Sequence, residues 1–561
     1  HKNKLYLIWI DQITNSLWYK IFEININNNK NTNYLINFSS SIQLTKPFKC
    51  NYDSTFVISN KDKLFGLCEK EEKDFLFSID LNKEKQELIV LREFEGFASS
   101  LGCNEDKTLL SWLEWDSNKM PWESNNLFFG SINSFGQLQK IVKFKNDNIN
   151  FDKSVSFFQP LWISKNILIC SEDSSGWWNL LFLKINQIDE INILKKVKKD
   201  FYEYGLPEWI SGISNFSGSK KNLFCLAKNR DSWIIEHYQN CSFHQNIELP
   251  FTYLRDLYVS SNRLICLASN DISHEQLIEI DINDCSNSSF ISKRVISKNI
   301  NSYSKAETFW FEGYGKEKTH AWIYKPNGSN TNKPPLILKA HSGPTSSFNG
   351  SFNLEVQYWT SRGWLVAEVN YGGSSGFGRQ YRERLNNLWG IVDSADCIAL
   401  AQTLIEEKLV DPSRIVISGN SAGGFTALNA LCKTDIFKTA ICKYPVIDLN
   451  DMRLNTHRFE RHYLNSLIGK FENNPKKYFE RSPKNNINKI KKPILLFHGE
   501  NDSVINFRES INFNKKLLEK NIYSEIFLFG DEGHGFKNIC NKRSVLKITE
   551  NFLKNIFSFK R

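Results

Sequence analysis

The sequence predicts two domains of different class, a β-propeller over residues 1–303 and an α/β domain with a mostly parallel, doubly covered sheet over residues 304–561. Three observations predict it. The chain has 561 residues, too many for one ordinary domain. A hydrophobic content of 41% and an aromatic content of 14% supply sizeable cores and exclude a disordered chain. Finally, the rhythm of the apolar runs changes near Ser304.

Before that point the chain repeats a two-strand unit: an apolar run, a polar turn, then an aromatic-rich run. "LYLIWIDQITNSLWYKIFEI", "LFGLCEKEEKDFLFSIDL" and "ILICSEDSSGWWNLLFLKI" are three of six such copies. They recur roughly every 50 residues, the period of a propeller blade. Their Asn, Asp, Ser and Gly turns suit short antiparallel strands. A β-sandwich pair is the alternative. The chain begins at His1 rather than a methionine. The expectation is therefore an N-terminally incomplete propeller whose intact parent has seven blades.

After Ser304 the apolar runs "PPLILKAHSG", "WLVAEVNYGG", "RIVISGNS", "TAICKYPVID" and "KPILLFHGEND" each end in polar or glycine residues. Helix-like stretches such as "SADCIALAQTLIEEKLV" separate them. Alternating strands and helices give a parallel sheet covered on both faces, with ligand chemistry at the carboxyl ends of its strands.

Composition narrows the function classes. Net charge is +10, but the lysines are scattered, with no basic helix or arginine-rich block, which argues against nucleic-acid or membrane partners. The twelve cysteines show no C-x-x-C spacing and no His–Cys cluster. Cys170, Cys225 and Cys266 sit inside apolar runs and read as small buried hydrophobes, which favours a reducing, cytoplasmic setting without a bound metal. No stretch has the length and purity of a transmembrane helix. A homo-oligomer is compatible with the sequence, which leaves the oligomeric state open.

The chemistry centres on Gly419-Asn420-Ser421-Ala422-Gly423, a G-x-S-x-G between an apolar strand and a helix. A sharp strand-to-helix turn needs flanking residues without bulk and lifts the serine hydroxyl clear of the sheet, as in an α/β-hydrolase. A lone serine is a poor nucleophile and needs a base and an orienting acid, in the chain order serine, acid, histidine. Asp502 follows a strand in "PILLFHGENDSVI", and His534 lies in a glycine-flanked loop in "IFLFGDEGHGF". The imidazole takes and returns the serine proton, and the carboxylate fixes its tautomer. Ala422 and Gly343, the latter in the loop "AHSGPTSS", are expected to donate N–H groups to the developing oxyanion.

Rivals exist for each role. Asp448 and Asp451 also follow a strand, and Asp531 lies three residues before His534, too near to reach it without doubling back. His457 and His462 fall in a helical stretch and suit packing or surface roles. His498 reads as structural, and Glu500 and Asn501 as turn formers.

The motifs "HSGPTSSF", "NYGGSSGFGRQYRE", "DPSRIVISGNSAGGF", "THRFERHYLNSLIG", "HGENDSVI" and "GDEGHGF" resemble the prolyl oligopeptidase family, closest to its acylaminoacyl-peptidase and dipeptidyl-aminopeptidase-like branch. "LSWLEWDSNKMPW" and "SSGWWNL" extend the resemblance into the N-terminal half. It implies a serine peptidase in which a propeller covers the site and admits short peptides. By motif, Ser421, Asp502 and His534 carry over as the triad, and Gly343 and Ala422 as oxyanion donors. Three positions depart from the family pattern: Ser342 where H-G-G-P has glycine, Gly372 where N-Y-R-G-S has arginine, and Asn506 where a proline is common. Val446, Tyr463 and Val504, near the motif strands, are the expected pocket walls. The reading is a peptidase working through an acyl-enzyme, with no cofactor, of aminopeptidase, dipeptidyl-peptidase or acylaminoacyl-peptidase specificity. An esterase on the same scaffold and a catalytically impaired propeller binding protein are the alternatives.

Overall fold

The computed structural model describes residues 4–11, 13–23, 41–47, 50–59, 61–83, 87–133, 135–146, 154–291, 303–327 and 333–557. His1, on which the expectation of a truncated start rests, lies outside them. Among the described residues the first part of the chain forms six antiparallel sheets in chain order, between residues 4 and 43, 51 and 94, 97 and 143, 157 and 196, 202 and 247, and 253 and 290. This is a six-bladed propeller; a seventh sheet is not present among the described residues.

Each repeat seen in the sequence is the central hairpin of one blade, as where Lys63–Lys70 pairs with Lys73–Asp80. Flanking strands such as Asn51–Ile58 and Ile89–Phe94 complete the sheets. The first sheet has three strands and the fifth has five. The apolar residues of adjacent blades meet in separate cores rather than one. Phe65, Leu67 and Leu76 of the second blade pack with Leu110 and Trp112 of the third. Cys170, Cys225 and Cys266 are fully buried in such cores, where a thiol behaves as a small hydrophobe.

The second part builds one eight-stranded sheet from β1 (Ala306–Glu312), β2 (Lys318–Tyr324), β3 (Leu336–Ala340), β4 (Leu365–Asn370), β5 (Ile415–Asn420), β6 (Thr439–Lys443), β7 (Ile494–Gly499) and β8 (Ser524–Phe529). Their order is β1-β2-β4-β3-β5-β6-β7-β8, with β2 antiparallel to both its neighbours, β1 and β4, and every other pairing parallel. Successive side chains on a strand point to opposite faces. Leu338, Ile417 and Leu496 accordingly face helices α2 (Val392–Glu406), α3 (Ala422–Leu431) and α4 (Phe507–Glu519). Their neighbours Ile337, Val416 and Leu495 face α1 (Leu354–Thr360) and α5 (Ile539–Phe557). With both faces covered, the polar ends of the parallel strands converge on one edge. The propeller sits over that edge.

Charge and backbone groups hold the cover in place. Asp173 of the fourth blade accepts two bonds from Arg379, at 2.9 and 3.0 Å, and one from Arg382 at 2.8 Å. Glu203 accepts from the Gly378 N–H at 2.8 Å, and the Trp209 indole N–H donates to the Thr345 carbonyl at 2.7 Å. Arg458 pairs with Asp74 of the second blade. The sequence motifs "SSGWWNL" and "GFGRQYRE" meet at this junction, where Arg379 N–H donates to the Gly176 carbonyl at 2.7 Å.

Candidate active site

Ser421 stands between β5 and α3 at φ 52°, ψ −119°, a left-handed conformation rare for a residue with a side chain. Its neighbours explain why the turn needs glycine. A Cβ on Gly419 would lie 2.1 Å from the Gly423 carbonyl oxygen, and one on Gly423 would lie 2.2 Å from that of Ala340. Only bare backbone packs so closely. The Ser421 N–H donates to the Lys443 carbonyl at 3.0 Å, tying the turn to β6.

His534 Nε2 lies 3.0 Å from Ser421 Oγ, and His534 Nδ1 lies 2.8 Å from Asp502 Oδ2. A carboxylate only accepts, so Nδ1 carries the proton and Nε2 is free to accept from the serine hydroxyl. The other Asp502 oxygen accepts the N–H groups of Val504 and Ile505, at 2.9 and 2.8 Å. Burial by itself raises the Asp502 pKa, but donors from His498, His534 and the Ile505 N–H outweigh it and hold the acid well below the usual carboxylate range. Glu532 braces the histidine loop by accepting the N–H groups of Lys537 and Asn538, at 2.8 and 2.9 Å. Tyr444, itself at φ 38°, sets its ring edge-on to His534 with centroids 4.8 Å apart.

Gly343 and Ala422 wall the same cavity as Ser421 and His534. The Gly343 loop is held from behind. His341 stacks on Tyr371 at 4.1 Å and bonds Ser374 Oγ through Nε2 at 2.7 Å, while the Tyr371 hydroxyl donates to the His341 carbonyl at 3.0 Å. Burial pushes the His341 pKa down to about 4, so the ring that anchors this loop stays neutral. Ser342 faces the cavity with its side chain exposed.

The cavity measures about 250 Å³, and Val446 and Val504, on the loops that follow β6 and β7, line it. Tyr463 does not. It lines a neighbouring cavity of about 350 Å³, with its ring edge against Trp122 and Trp209. Trp209 from the propeller, Met452 and Glu460, none singled out from the sequence, also line the first cavity, as does His457. Glu460 and His457 lie in the stretch "THRFERHYLNSLIG", at the short helical turn Arg458–Glu460. A further cavity of about 390 Å³ shares Trp209 and His457 with the first and is lined by Asp53, Glu69, Asp74 and Glu208. Burial, and then the nearby Asp53 charge, push the Glu208 carboxyl up to about 7.

The rival acids are engaged elsewhere. Asp448 accepts the Asn450 N–H at 3.0 Å and pairs with Lys484, and Asp531 accepts from the Asn538 and Asn541 amides. The departures from the family pattern have local explanations. A Cβ on Gly372 would meet Val392 at 2.7 Å and the Arg384 guanidinium at 2.8 Å, so Arg384 fills the space beside it. Asn506 caps α4 by accepting the Arg508 N–H at 3.1 Å. Among the described residues no group of three or more His, Cys, Asp or Glu side chains is placed to hold a metal, and no helix is long and apolar enough to cross a membrane.

Residues 350–560 match the prolyl oligopeptidase family. Dipeptidyl aminopeptidase BIII of Pseudoxanthomonas mexicana is 30% identical over 225 residues, 39% of this chain and 33% of that enzyme. The match thus spans about a third of that relative's length. Among solved structures, a puromycin hydrolase superposes with a TM-score of 0.87 at 24% identity, over 99% of this chain and 85% of its own. A puromycin-hydrolyzing peptidase of Mycobacterium tuberculosis gives 0.85 at 25% identity, over 98% and 85%.

Proposed function

We propose, from the membership of residues 350–560 in the prolyl oligopeptidase family, that this chain is a serine peptidase releasing N-terminal residues from short peptides with a free α-amine. The observation that carries the reading is the Ser421–His534–Asp502 chain of hydrogen bonds opening into a small cavity.

Ser421 Oγ attacks the scissile carbonyl as its proton passes to His534 Nε2. The oxyanion accepts from the N–H groups of Ala422 and Gly343, each worth roughly 3 to 4 kcal/mol in such chemistry. Asp502 stabilises the imidazolium. Nε2–H then protonates the departing amine, leaving the acyl group on Ser421, and a water activated by the same nitrogen hydrolyses the ester. Residues 304–561 do the chemistry, and residues 1–303 cover it, excluding folded proteins and bulk water. Twelve cysteines without a disulfide, most of them buried, suit a reducing cytoplasm.

The preference for a free amine rests on Glu460. Its side chain lines the catalytic cavity. An acetylated terminus has no charge to meet it. The test compares an apolar aminoacyl anilide with its N-acetyl form. Puromycin, an aminonucleoside amide with a free amine, is a third substrate. Faster turnover of both free amines is expected, and Glu460→Gln is expected to raise their KM about tenfold or more, the loss of a charge-assisted hydrogen bond. Faster cleavage of the acetylated anilide would make the enzyme an acylaminoacyl-peptidase instead.

A further inference from the structure

We infer that His498 is a positioning residue for the catalytic acid, holding the Asp502 carboxylate oxygen that orients His534. The inference rests on the reading of Asp502 as the acid of the triad. His498 is the penultimate residue of β7, four residues before Asp502, and is fully buried. Its Nε2 lies 3.2 Å from Asp502 Oδ2 and 3.2 Å from the Ile505 carbonyl oxygen, and its Nδ1 lies 2.8 Å from Ser510 Oγ on α4.

Both neighbours of Nε2 are pure acceptors, so that nitrogen carries the proton, and Nδ1 accepts from the Ser510 hydroxyl. Asp502 then receives three hydrogen bonds, with a fourth N–H beside it. Two backbone N–H groups bind Oδ1 and His534 Nδ1–H binds Oδ2, while His498 Nε2–H, hydrogen-bonded to the Ile505 carbonyl, lies 3.2 Å from that same oxygen. A carboxylate so surrounded has one orientation available. The depressed pKa of Asp502 agrees with this donor set. The other polar groups facing this pair are Tyr444 on the loop after β6, Glu532 in the histidine loop, and Glu460 with His457 across the cavity.

The test is kinetic and uses the full chain with a free-amine anilide. His498→Phe removes the donor and keeps an aromatic ring, while His498→Gln keeps an amide donor. If the phenylalanine variant does not fold, His498→Met serves as the donor-free form. The donor-free variant is expected to lose roughly tenfold to a hundredfold in kcat with KM changed by less than about threefold, the scale of a charged hydrogen bond. The glutamine variant is expected to recover most of the lost kcat. A folded donor-free variant with unchanged kcat overturns the inference, as does a loss carried wholly by KM, or equal impairment of the glutamine and donor-free forms. Ser421→Ala runs alongside: activity surviving there defeats the triad itself, whereas an inactive Ser421→Ala with an unaffected His498→Phe defeats only the role of His498.

Discussion

At the scale of the residue, the site depends on backbone that tolerates no extra atoms. Ser421 holds a left-handed conformation because Gly419 and Gly423 let two strands and a helix approach within contact distance. Gly423→Ala sets a methyl against the Ala340 carbonyl and is expected to cost roughly 2 kcal/mol or more, read as a lower denaturation midpoint, with activity lost too. An unchanged midpoint would show that the turn relaxes. The proposed triad of Ser421, Asp502 and His534 was legible as a set because each member follows an apolar run in the order an α/β-hydrolase requires. Trp209 and Glu460 were not, because they reach the cavity from a propeller loop and a short-helix segment whose positions only the tertiary fold determines. Nearness in sequence to a motif put Tyr463 in the pocket wall, and its ring turns instead toward Trp122 and Trp209.

At the scale of the element, the sequence revealed strands in proportion to their burial. The central hairpins of the blades and the parallel strands β4, β5 and β7 are almost wholly buried and read as apolar runs. Edge strands such as Leu138–Lys143 and Ser242–Ile247 are half exposed or more and carry no such run. Their pairing is decided by the neighbouring strand, so they were invisible alone. Asn506 shows how an element absorbs a departure from the family pattern, since its side chain does for α4 what a rigid residue does elsewhere. Asn506→Ala is expected to cost about 1 kcal/mol of stability and leave kcat unchanged. A large fall in kcat with an unmoved melting temperature would assign Asn506 a part in the chemistry.

At the scale of the whole molecule, two domains meet through buried charge, and acids collect in the space between them. Glu208, at 7% exposure, has its carboxyl pushed up to about 7 from an ordinary 4.5. For an acid with a raised pKa, the destabilisation is absent below the ordinary value. It grows as pH rises through that interval and is complete above the folded-state value. Glu208→Gln is therefore expected to raise the melting temperature at pH 8 and to change it little at pH 5; an equal increment at both would show that ionisation is not the cause. The two-domain plan was legible in the change of rhythm near Ser304, whereas the contacts that join the domains pair residues hundreds of positions apart, such as Asp173 with Arg379.

The account as a whole turns on Ser421, and the most direct measurement is covalent labelling of the intact chain by a fluorophosphonate, with the adduct located by peptide mass spectrometry. The account predicts a single adduct on Ser421, formed in step with loss of anilide cleavage, and neither labelling nor cleavage in Ser421→Ala. Label on another residue, or peptidase activity that survives in Ser421→Ala, would contradict it.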